Sequence, residues 1–412
     1  MMIGDDMRVV VSNDETQERI SESLDLAEDV ILDVRGLKTS FYTYEGVVKA
    51  LDGVTVQLKS GDTLAFVGET GCGKSVTAKS ILRLVESPGR IEAGQILFRS
   101  RAADGSETVI DLVKLSEEEM RQIRGNRIGI VFQDPATYPN PVFRVGDQIA
   151  EVISLHQDLA LDVLEMKIER LEATLADSPD APNVAEIQEK IEQYRSQLDD
   201  PPAPTDSDIK EVAKKKSVDM LRLVRMPTPE EIANQYPHEL SGGMRQRALI
   251  AMALSCNPQI LICDEATTAL DVTVQAQVLR LLNELKVDFD SSIIIITHDL
   301  GVVAETCTKV AVMYAGVVVE YASTDELFSD PIHPYTLGLL EAIPKLTEKV
   351  DRLLQIRGSV PNLITPPTGC RFHPRCDFAT DICKQERPSR EEIKPGHWVE
   401  CYHPQGSMKG KR

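Results

Sequence analysis

Three observations predict an α/β fold built on a parallel sheet. Short apolar runs alternate with helix-like stretches along most of the chain. One such run, residues 63–67, opens into a glycine-rich loop that ends in Lys74 and Ser75. Another, residues 260–263, ends in the adjacent carboxylates Asp264 and Glu265.

The length of 412 residues suits two or three domains, and an apolar content of 42% is ample for their cores. The net charge of −20 argues against a surface that neutralises nucleic-acid phosphates, so no nucleic-acid partner is expected. No stretch approaches the ~20 apolar residues that cross a bilayer, and the acidic N-terminus lacks a basic-then-apolar signal pattern. The chain therefore reads as cytoplasmic, with any membrane role supplied by partner proteins.

Residues 1–29 read as a flexible acidic tail. Four β-type runs follow at 30–34, 47–51, 54–58 and 63–67, separated by Gly–Asp and Asp–Gly breaks. The first three suggest an N-terminal antiparallel β subdomain. A helix is predicted over 76–84 and a strand over 128–132. Residues 157–210 read as a helical-hairpin insertion. Leu164, Ile168, Leu171 and Leu175 share one helix face, Ile187, Ile191, Tyr194 and Leu198 another. Asn183 with Glu186 resembles a capping box at the start of the second helix. Strand–helix alternation resumes after Tyr236, with helices at 248–253 and 274–285 and strands at 260–263 and 293–296. From about residue 330 prolines and cysteines rise, marking a small Cys-rich appendage over 330–412.

The run Gly68-Glu-Thr-Gly-Cys-Gly-Lys-Ser75 fits a phosphate loop between a strand and a helix. Gly68, Gly71 and Gly73 let the backbone wrap an anion. Lys74 reaches the β- and γ-phosphates, and Ser75 offers a hydroxyl to Mg²⁺. Cys72 and Val76 complete the loop's lining. Asp264 is the second Mg²⁺ candidate, and Glu265 is placed to polarise an attacking water. In Leu240-Ser-Gly-Gly-Met-Arg-Gln-Arg247, Ser241 can cap a helix. Gly242 and Gly243 bare N–H groups at its start, where a γ-phosphate is favoured.

That run resembles the signature of ABC ATPases, which binds the ATP held by the phosphate loop of a partner subunit. The resemblance implies an ABC-type ATPase core over 30–329. It further implies that Gln133 is the glutamine-loop residue touching Mg²⁺ and that Asp271 ends the D-loop of 269–271. It makes His298 the switch histidine that contacts the γ-phosphate. Phe41 sits where the family stacks an aromatic on adenine, with Tyr42 and Tyr44 close by. The chain has Ala266 where the family usually has proline, a change that only relaxes a turn.

Beyond the core the chain resembles ATP-binding subunits of dipeptide and oligopeptide permeases. Residues 132–141, Tyr236-Pro-His-Glu-Leu240, and His333-Pro-Tyr-Thr336 with the following 339–344 carry this resemblance. It implies an ATPase that powers peptide import from the cytoplasmic face of the membrane, as a peripheral subunit. Its partners would be a homologous ATPase chain, two transmembrane permease subunits and a solute-binding protein. Cys370, Cys376, Cys383 and Cys401 present soft thiolate donors without zinc-finger spacing. The resemblance implies a [4Fe–4S] cluster there, with zinc as the alternative. A DNA-maintenance ATPase also carries a hairpin before its signature. Its far longer hairpin and the acidity of this chain argue against that reading.

Overall fold

The structure, a computed structural model, describes residues 25–102, 105–135, 137–178, 182–266, 271–343 and 356–408. Most of the N-terminal tail, and residues 269 and 270 of the expected D-loop, lie outside them.

Two sheets organise the chain. The first is antiparallel, in the order β2-β1-β4-β5, from β1 (Val30–Thr43), β2 (Gly46–Lys59), β4 (Gly89–Arg101) and β5 (Glu107–Asp111). The runs expected at 47–51 and 54–58 are one strand. The Asp52-Gly53 break is absorbed as a register shift, with Gly53 at φ +93° and Asp52 N–H bonded to the Gly316 carbonyl.

The second sheet has eight strands in the order β11-β12-β10-β9-β3-β8-β7-β6. Its parallel part comprises β3 (Thr63–Val67), β6 (Ile128–Val131), β7 (Ile260–Asp264), β8 (Ser292–Ile296) and β9 (Lys309–Tyr314). Side chains alternate between two cores. Leu64, Phe66, Ile262 and Ile294 face the antiparallel sheet. Ala65, Val67, Cys263 and Ile295 face the helices on the other side. Burial on both faces explains why these strands read as unbroken apolar runs.

The helices that matter for the site are α1 (Lys74–Ile81), α2 (Val145–His156), α3 (Ala160–Asp177), α4 (Val184–Ser196), α5 (Asp206–Leu223), α6 (Gly242–Leu254) and α7 (Val272–Asp288). Helices α3 and α4 lie within the stretch read as an insertion. Val163, Leu164 and Met166 are buried at the base of α3, whereas Ile168, Leu171 and Leu175 are only half-buried. The pairs Lys167–Asp208, Lys215–Glu169 and Lys216–Asp162 join α3 to α5. The expected capping box at Asn183 is absent. Its side chain makes no cap bond at φ −104° and ψ 12°, and Glu186 pairs with Lys190 instead.

The C-terminal segment is built into the core sheet. Strands β11 (Glu391–Lys394) and β12 (His397–Val399) pair with each other, and β12 adds antiparallel to β10 (Val317–Ser323). Arg371 bonds Asp52, Arg387 bonds the Asp52 carbonyl and Glu400, and Arg390 bonds the Thr55 carbonyl and lies over Trp398. Ile332, Tyr335, Phe372 and Val399 are buried in the cores, so this segment is packed rather than pendant.

Glu320 lies buried beneath this junction. It accepts from the Ile332 and His333 N–H groups and from His397 Nε2 at 2.8 Å. Burial holds His333 down at about 4, against the opposing pull of Glu320. Between the ordinary value of 6.5 and about 4, the unfolded chain binds a proton here that the folded chain refuses. The stability contributed by neutral His333 is therefore complete above that window and lost as pH falls through it. Denaturant unfolding of the wild type and His333→Gln checks this. The wild type's advantage should shrink by about 2–3 kcal/mol between about pH 7 and about pH 4.5.

Candidate nucleotide site

The strand ends β3, β6, β7 and β8 point to one edge of the parallel sheet, and each hands on a loop carrying polar groups. After β3 the chain turns at Gly68 (φ +147°), Gly71 (φ +82°) and Gly73 (φ +107°), left-handed conformations that favour glycine. A Cβ on Gly68 would lie 2.1 Å from the Met313 carbonyl oxygen. The loop thus hugs β9 and opens directly into α1. Lys74 is buried, and its ammonium donates to the Gly68 carbonyl at 2.8 Å and the Glu69 carbonyl at 3.3 Å. Cys72 is buried inside the loop, and burial raises its thiol pKa.

Ser75 Oγ donates to Asp264 Oδ1 at 2.8 Å. Burial raises the Asp264 carboxyl pKa, the serine bond lowers it, and neighbouring Glu265 raises it further. A hydroxyl and a carboxylate meeting at this range are a hard oxygen pair that fits Mg²⁺. Glu265 holds φ +46°, an uncommon conformation for a side-chain-bearing residue, fixed by its N–H bond to the Ile296 carbonyl. Its carboxylate accepts from Gln133 Nε2 at 2.8 Å and lies 3.7 Å from His298 Nδ1. Three adjacent strands, β6, β7 and β8, thus deliver Gln133, Glu265 and His298 to one point. Ala266, the residue that follows Glu265, is buried.

Ser241 caps α6, accepting from Met244 N–H, and Gly242 has open space around it. A Cβ on Gly243 would lie 2.7 Å from Val274. Asp271 caps α7 through Val274 N–H. Phe41 is half-buried on β1 against Gly89, while Tyr44 is fully exposed. Val76 is half-buried in the first turn of α1.

The chain belongs to the ABC transporter family. A family model described as "ABC transporter" matches residues 51–268, and one described as "Oligopeptide/dipeptide transporter, C-terminal region" matches 319–383. The chain is 45% identical over 91% of its length, and 95% of the relative's, to a probable peptide ABC transporter ATP-binding protein of Sinorhizobium fredii. It is 43% identical to the oligopeptide transport ATP-binding protein OppD of Bacillus subtilis (91% and 89% covered). It is 40% identical to OppD of Escherichia coli (91% and 94% covered). Among solved structures, the dimeric ABC transporter cassette MJ0796 shares the fold, with TM-score 0.51, 21% identity, 71% of this chain and 99% of that chain.

The four C-terminal cysteines come near one another without forming a metal site. Cys370 N–H bonds the Cys383 carbonyl at 2.8 Å. Burial pushes Cys376 up to about 11 and Cys401 up to about 12, and the neighbouring thiols add to both rises. Among the described residues, however, no group of three or more His, Cys, Asp or Glu side chains is arranged to hold a metal ion. The expected cluster therefore has its donor chemistry here but not its ligand geometry.

Two contacts to the phosphate loop escape the motif reading. Tyr335 Oη accepts from Glu69 N–H at 2.9 Å, and Arg375 grips the Glu69 carboxylate. Glu69 occupies a variable position of the loop motif, so the sequence carries no signal for either. For the loop itself, Gly68→Ala should lower the unfolding free energy by about 2–4 kcal/mol, because its methyl meets fixed backbone at positive φ. Urea denaturation measures this, and a loss below about 1 kcal/mol would show that the loop can shift away from Met313.

Proposed function

We propose that the chain is the ATP-binding and ATP-hydrolysing subunit of an importer for oligopeptides or dipeptides. The observation that carries this is Glu265, held between Gln133 and His298 one residue after an aspartate that accepts from the phosphate-loop serine. Relatives that cover nine-tenths of the chain and bear peptide-transport names supply the substrate class.

In this reading the loop N–H groups and Lys74 cradle the triphosphate, exchanging the carbonyl bonds of Lys74 for phosphate oxygens. Gly68, Gly71 and Gly73 admit the close approach, Cys72 and Val76 line it, and Phe41 stacks on the base. Ser75 and Asp264, with Gln133 beside them, would hold Mg²⁺, which neutralises charge on the phosphates when bound. Glu265 orients and polarises the attacking water, and His298 contacts the γ-phosphate. Positioning and electrostatics supply most of such a rate.

Ser241, Gly242 and Gly243 would complete the site of a second ATPase chain, because the α6 N-terminus has N–H groups to offer and open space around Gly242. Asp271 would line that junction. The partners are then a homologous ATPase subunit, two transmembrane permease subunits and, through them, a solute-binding protein. Among the described residues no helix is long and apolar enough to cross a membrane, which fits a peripheral subunit at the cytoplasmic face. The domain scheme proposed with this reading is an acidic tail over 1–29, an ATPase unit over 30–329 with an insertion near 157–210, and a permease-type C-terminal segment over 330–412.

For Cys370, Cys376, Cys383 and Cys401 we propose [4Fe–4S] binding on donor chemistry and mutual nearness alone. Binding would have to bring the thiols into a ligand arrangement that the described residues do not show.

Two measurements test these assignments. Glu265→Gln should bind ATP as tightly as the wild type but lose turnover at least ~100-fold. Normal hydrolysis by that variant would remove Glu265 from the mechanism. Chain purified without oxygen should carry iron and sulfide in equal amounts, whereas stoichiometric zinc or metal-free protein would reject the cluster.

A further inference from the structure

Arg375 lies far from the nucleotide motifs in sequence, yet its guanidinium spans the Glu69 carboxylate. Nη1 donates to Oε2 at 2.6 Å and Nη2 to Oε1 at 3.0 Å. The arginine side chain is 5% exposed and the glutamate side chain 31%, so the guanidinium is shielded while the carboxylate keeps contact with water. The guanidinium is itself aimed by its surroundings. Nε donates to the Arg357 carbonyl, Nη2 to the Ile356 carbonyl and Nη1 to Tyr314 Oη, while the charge lies 5.6 Å from the centre of the Tyr314 ring. Such a fork holds a carboxylate in orientation as well as distance.

Glu69 is tied from three sides. Its side chain goes to Arg375, its N–H to Tyr335, and its carbonyl to the Lys74 ammonium. One residue therefore links the C-terminal segment to the loop lysine. The C-terminal segment does not need this grip for its own attachment, because β12, Arg371, Arg387 and Arg390 already fasten it to the sheets. What needs it is the loop. Its three glycines at positive φ have wide conformational freedom, and an anion cradle that is ordered only on binding loses affinity to that ordering.

We propose that Arg375 and Tyr335 are positioning residues for ATP: through Glu69 they hold the phosphate loop in its binding shape before the nucleotide arrives. This rests on the ATPase reading of the same loop. A contact made equally in the bound and reacting states affects affinity rather than turnover.

The test uses the full-length chain with MgATP, reading the dissociation constant, KM, kcat and thermal stability. Arg375→Ala and Glu69→Gln should each weaken ATP affinity and raise KM roughly tenfold, with kcat changed less than about twofold. The double variant should be no weaker than the worse single, because both remove one interaction. Exchange of the charges, Glu69→Arg with Arg375→Glu, should recover part of the loss. If Arg375→Ala fails to fold, Glu69→Gln carries the same comparison, since it leaves the arginine a neutral acceptor. Unchanged affinity in Glu69→Gln, additive losses in the double variant, or lowered thermal stability with unchanged affinity would each overturn the proposal while leaving the ATPase reading intact. Absence of ATP binding by the wild type would instead overturn that reading and this proposal with it.

Discussion

The register of β8 between β3 and β7 is the constraint on which the site depends. Thr63 aligns with Ile293, and Ile260 with Ser292, in parallel ladders. Shifting either ladder by one residue would turn every core-facing side chain to the opposite face. It would also move the phosphate loop by about 3.3 Å relative to Asp264, more than the span of the hydrogen bond that now joins them. Because Ile293–Ile296 are consecutive and buried on both faces, a slip would not expose them; it would instead carry Ser292 off the Gly61 N–H and the Lys59 carbonyl that its hydroxyl bonds. The pairing of β8 with β3 and β7 thus places the chemistry at its end.

The C-terminal segment adds a different kind of fastening. Beside its buried apolar residues it uses arginines, whose partners lie on β2 and the phosphate loop. Ion pairs with one partner still partly exposed contribute little net stability once desolvation is counted. Charges of this kind therefore specify where the segment sits more than how strongly it holds. Glu320 serves similarly, collecting two backbone N–H groups and one imidazole around a single carboxylate.

The parallel core was legible because its strands are buried on both faces and so write continuous apolar runs. The nucleotide loop and the carboxylate pair were legible because each chemistry restricts residue types over a few consecutive positions. Contacts between distant segments were not. Glu69 and Arg375 are separated by 306 residues, and an isolated Glu in a variable position has no pattern to betray its partner. The β-pairing of residues 397–399 was hidden because three residues are too few for a periodic signal. The capping box at Asn183 failed for a local reason, since residue types alone do not fix the backbone angles that aim a cap. The cysteines illustrate the remaining gap: spacing brings thiols into one neighbourhood but does not fix the distances a ligand set requires.

The addition of β12 to β10 also bears on how the protein is made. During synthesis β10 leaves the ribosome well before β12. In that interval the growing sheet leaves open the part of the β10 edge, Val319–Tyr321, that β12 and Glu400 later pair, on a strand whose residues are almost all buried in the finished fold. An open apolar strand edge is a template for pairing with other chains. Completion of this subunit is then a race between translation and intermolecular contact, and chaperones that shield strand edges would act in that interval.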